Sequence, residues 1–167
     1  LLRVLLAERG LHPAFVPLRG YGEAAGVDNV LLIGNPAIEF RRRNATDHRI
    51  WDLGQAWQEV GGLPFVYAVW ALHGETSGPA GRDRINPDLA DRLIGAGEAG
   101  CADLARIIAA RQEFDLAFRT AYLGGHIQYR IDDDAKAGVE LFTRLRQRHV
   151  SARTRSPDWI RPGGKKG

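Results

Sequence analysis

The chain has 167 residues, 44% apolar and 26% charged, with a formal net charge of +3, the balance of one ordinary globular domain or of parts of two small lobes. No run approaches the roughly 20 apolar residues of a membrane-spanning helix. Cys101 is the single cysteine, so an internal disulfide and a cysteine-based zinc site are excluded and a reducing cytoplasm is the expected compartment.

The charge is unevenly spread. Residues 148–167 hold six Lys/Arg and one Asp, which leaves 17 basic and 19 acidic residues in 1–147, a net of −2. The sequence pI of about 9.3 therefore reflects the end of the chain. It points to neither a nucleic-acid nor a membrane partner.

The chain opens as LLRVLLAERG, in mid-amphipathic helix, with no methionine anywhere, and reads as the C-terminal part of a longer protein. Leu1 to Arg9 is predicted helical, with Leu2, Leu5 and Leu6 on one stripe and Gly10 as terminator. Pro13 to Leu18 is a short strand candidate that Pro17 confines to an edge. Gly20 to Gly26 has the composition of a loop. Asn29 to Ile33 (NVLLI) is a compact apolar strand ended by Gly34-Asn35-Pro36. Helix–strand–loop–strand order implies α/β layering, where ligands sit beyond the carboxyl ends of strands. Gly34 and Asn35 are therefore candidate site residues. Arg41, Arg42 and Arg43 read as a solvated turn, or else as a hold on an anionic substrate.

The densest stretch is Asp52 to Ala71, DLGQAWQEVGGLPFVYAVWA. Asp52 is placed as an N-cap with Gln55 three residues on. Leu53, Ala56, Trp57 and Val60 recur at helical spacing, and Gly61-Gly62 stops the helix. Leu63 to Ala71 is apolar almost without interruption, the pattern of a strand covered on both faces.

His73 to Ile85 reads as a loop. Asn86-Pro87 opens a helix through Leu89 and Leu93, broken between Gly95 and Gly100, and Leu104, Ile107 and Ile108 mark another ending near Arg111. A further helix is predicted over Tyr122 to Arg130, with Tyr122 and His126 on one face. Asp132, Asp133 and Asp134 favour the start of the last helix, whose apolar face is Val139, Phe142 and Leu145. From Arg153 onward the breakers read as a disordered tail.

Unaided, these residues carry little recognisable chemistry. There is no phosphate loop, dinucleotide fingerprint, H-E-x-x-H or serine elbow. His12, His48, His73, His126 and His149 lack ligand spacing. Cys101 reads as an inert thiol before it reads as a nucleophile. Asp52 reads as a cap before a general base, and Trp57, Tyr67 and Trp70 as core before a pocket for a flat ring.

The stretch 52–71 strongly resembles the D-L-G-x-x-W-x-x-x-T-G-L-P-F-V-F-A-V-W-A signature of the chorismate dehydratases of menaquinone biosynthesis, the MqnA family. LLRVLLAERG, VLLIGNPAI, YLGGHIQYRI and AGVELFTRL resemble further segments of that family in the same order, over residues 1 to about 150. The family carries Asp where this chain has Asn35 and Thr where it has Gly61.

The resemblance implies an α/β, type II periplasmic-binding-protein-like fold of two lobes, here lacking its N-terminal part. Residues 1–62 would be the remainder of one lobe, 63–71 the returning crossover strand and hinge, 72–150 the helical part returning to the other lobe, and 151–167 a disordered basic tail. It further implies a cytoplasmic hydro-lyase of the futalosine route. Such an enzyme removes water from chorismate to give 3-[(1-carboxyvinyl)oxy]benzoate, with no metal or organic cofactor. Catalytic groups are expected in the N-terminal part, so this stretch alone is expected to be inactive. Gly34 and Asn35 carry over as cleft residues, Phe65 and Trp70 as the ring wall. The alternative is a non-catalytic solute-binding lobe that captures a carboxylate. The related enzyme acting on a cyclised futalosine ranks behind both.

Overall fold

The structure, a computed structural model, describes residues 1–44, 48–71 and 87–150, together with Pro157 and Trp159. The helices in chain order are α1 (Leu2–Ala7), α2 (Asn35–Asn44), α3 (Leu53–Gly61), α4 (Pro87–Ala102), α5 (Leu104–Ala110), α6 (Leu116–Ala121) and α7 (Asp133–His149). A 3-10 helix spans Tyr21–Gly26 and a π-helical turn spans Tyr122–His126. The chain divides into two compact units, Leu1–Phe65 with Gly138–Thr154, and Val66–Ala137 with Arg155–Gly167.

The expected α/β two-lobed, periplasmic-binding-protein-like fold is overturned, because among the described residues there is no strand. Residues 13–18, 29–33 and 63–71, each expected to be a strand, have no regular structure. An unbroken apolar run signals burial, but a strand exists only where a neighbour completes its backbone ladder. Here the burial itself is missing: Val16 is 85% exposed, Ile33 74% and Trp70 84%. In the stretch 63–71, only the first residues are sheltered, and Tyr67 to Ala71 is exposed.

The helices follow the sequence more closely. Asp52 caps α3, its Oδ1 accepting from the backbone N–H of Gly54 at 2.9 Å and of Gln55 at 3.1 Å. Gly62 ends α3 in the left-handed region at φ 64°, its N–H donating to the Gln58 carbonyl, a conformation that a side chain would strain. Asp132 Oδ1 accepts from Ala135 N at 2.8 Å at the start of α7. Three boundaries differ. Arg41–Arg43 form the last turn of α2, where cations suit the helix dipole, rather than a turn. The expected break at 95–100 is absent, since α4 runs through Gly95, Gly97 and Gly100. A helical glycine costs about 1 kcal/mol against alanine, too little to end a helix by itself. The helix expected over Tyr122–Arg130 stops at His126. The loop 73–85, the Asn86 cap and nearly all of the tail lie outside the described residues.

The core of the first unit is built on Trp57, which is fully buried with Val4, Leu5, Ala56 and Leu145. Phe65 and Phe142 meet it edge to face, with centroids 5.4 and 5.8 Å from the Trp57 ring and 5.2 Å from each other. Each such pair adds about 0.5–1.5 kcal/mol beyond burial. Outside the core, Glu8 bridges His149, Arg9 lies 4.6 Å from the Trp51 ring and Arg3 lies 4.0 Å from the Phe15 ring. These contacts fasten the irregular segments and the end of α7 to α1.

The ring cluster depends on a close backbone approach. A Cβ at Gly138 would run into the carbonyl oxygen of Pro64, whereas one at Gly61 would meet only the end of the Leu141 side chain. Gly138→Ala is therefore expected to destabilise by about 1–3 kcal/mol, and Gly61→Ala by clearly less. Urea unfolding midpoints check this, and equal shifts for the two variants would contradict it.

Candidate functional site

The four residues singled out for substrate contact fall in three places. Gly34, at φ 66°, enters α2. Its carbonyl accepts from Ala37 N at 3.0 Å and Ile38 N at 3.2 Å. Asn35 is the first residue of α2, and both are exposed. They thus open a helix instead of closing a strand. Phe65 is half-buried in the ring cluster of the first unit. Trp70 belongs to the second unit. Asp52, weighed as a base, is occupied as the α3 cap.

The remaining titratable groups are dispersed. Among the described residues no three His, Cys, Asp or Glu side chains come together in a way that could hold a metal ion. His48 lies edge-on to Phe40 with its Nδ1 buried and without a hydrogen-bond partner there. His149 is engaged with Glu8. No helix among the described residues is long and apolar enough to cross a membrane.

The richest local chemistry lies in the second unit, around α6 and the π-helical turn. Asp115 caps α6, its Oδ1 accepting from Phe118 N at 2.8 Å. Phe118 on α6 and Tyr122, the first residue of the π-helical turn, stack, with centroids 5.6 Å apart and planes 11° apart. Arg119 reaches back across the corner: its Nε donates to the Ile108 carbonyl at 3.0 Å and its Nη1 to the Phe114 carbonyl at 2.5 Å. Beyond α6 the chain widens into the π-helical turn, where Ile127 N donates to the Tyr122 carbonyl at 3.2 Å. Tyr129 returns over this turn and its hydroxyl donates to the Leu123 carbonyl at 2.9 Å. Such π-turns often mark functional positions.

Sequence reasoning passed over Arg119 and Tyr129. The two tyrosines and Gly124-Gly125 of YLGGHIQY are visible as a motif, but their pattern predicts a continuous helix where the chain forms a π-helical turn. A lone arginine in an apolar helix carries no periodic signal.

The chain matches the menaquinone biosynthesis family over residues 1–148. It belongs to that family. The match covers every segment that carried the motif resemblance, including 52–71, and stops where the basic end of the chain begins. Membership of the menaquinone biosynthesis family gives the protein a role in making that quinone. No curated protein and no solved structure shows significant similarity to the chain.

The Tyr129 phenol is pushed above the ordinary tyrosine value of 10.0, first by burial, which disfavours the phenolate, and then by Cys101 and Tyr122 beside it. The folded chain thus holds this proton more tightly than the unfolded chain. The linked stability is fully present below the ordinary value and is lost as pH rises through the higher one. Tyrosinate absorbance is expected to show a late-ionising phenol that Tyr129→Phe removes. A titration unchanged by that substitution would contradict the placement.

Proposed function

We propose that the protein is a chorismate dehydratase, acting in the cytoplasm by the futalosine route to menaquinone. The observation that carries this reading is the long collinear motif DLGQAWQEVGGLPFVYAVWA, lying inside a match to the menaquinone biosynthesis family over residues 1–148. In the reaction a ring C–H bond gives its proton to a base and its electrons to the ring. The C–O bond to the ring hydroxyl breaks, the hydroxyl leaves as water with a proton, and the enolpyruvyl ether stays in place. The product is 3-[(1-carboxyvinyl)oxy]benzoate.

Aromatisation supplies the driving force, so the protein has to orient the substrate, exclude water and stabilise developing charge. The substrate's own enolpyruvyl carboxylate can serve as base when held against the ring. Of the proposed contact residues, Gly34, Asn35 and Trp70 have the exposure that contact requires. Phe65 is half-buried against the Trp57 cluster. With Asn35 standing where the resembling family has Asp, the amide can donate a hydrogen bond to a substrate carboxylate without a like-charge cost.

The protein as its gene encodes it, incubated with chorismate, is expected to yield a product one water lighter with a benzoate ultraviolet spectrum. Chorismate recovered unchanged would overturn the reading, and chorismate bound but unchanged would favour a carboxylate-binding role. In an active enzyme, Asn35→Ala is expected to raise KM about tenfold, the loss of one hydrogen bond to a charged group. An unchanged KM would remove Asn35 from the site.

A further inference from the structure

We draw no further inference here: the strongest candidate, the exposed apolar stretch over residues 67–71 near the start of the second unit, carries none because nothing in the structure shows what covers it.

Discussion

The first unit depends on the burial of one indole. Trp57 comes from α3, and the rings that close on it come from the segment just after that helix and from α7, far along the chain. Such a cluster forms only if the backbone at Pro64 and the start of this stretch of α7 come into contact, which the missing side chain at Gly138 permits. Burial, edge-to-face geometry and close backbone approach are therefore one constraint. The cluster carries a cost as well. The Trp57 Nε1 is buried with no hydrogen-bond partner among the described residues, worth about 1–3 kcal/mol against folding. The apolar surface of the ring has to outweigh it.

The second unit is organised differently. Its corner is held by hydrogen bonds from a side chain to backbone carbonyls rather than by a large buried ring, and its buried apolar residues among those described are Ala90 on α4, Ile108 on α5 and Ala135 on α7. Arg119 takes over carbonyls that the ends of α5 and of the following turn would leave unsatisfied. The complementary task at helix starts, accepting from free backbone N–H groups, falls to caps: Asp52 at α3, Asp115 at α6 and Asp132 at α7. Arg119 meets its carbonyls with one guanidinium that spans α5 and the turn before α6.

Membership of the menaquinone biosynthesis family and the absence of strands among the described residues together separate two kinds of inference from a motif. The motif at 52–71 identifies kinship because its residues answer to constraints that are mostly local: a cap, an apolar helix face, a glycine stop and a ring that packs on the tryptophan. The fold inferred from the same kinship required partners for the apolar runs. With Tyr67, Val69 and Trp70 exposed, the second half of the motif presents aromatic and β-branched side chains to solvent instead of to a sheet.

The sequence by itself determined the local signals. The Asp52 cap, the Gly62 stop, the acidic start of α7 and its Phe142–Leu145 face were legible because each depends on residues within a few positions of one another. Kinship and the residues Gly34, Asn35, Phe65 and Trp70 were legible as motif members. What they touch was not. Only the tertiary structure decided that Phe65 belongs to the Trp57 cluster, that the apolar runs at 29–33 and 63–71 do not pair as strands, that Arg119 reaches back to the Ile108 and Phe114 carbonyls, and that the Tyr129 hydroxyl reaches the Leu123 carbonyl. The reason is the same in each case. A helix carries its own hydrogen-bond partners along the chain, whereas a strand, a ring cluster and a turn tied by side chains borrow theirs from residues that only folding brings near.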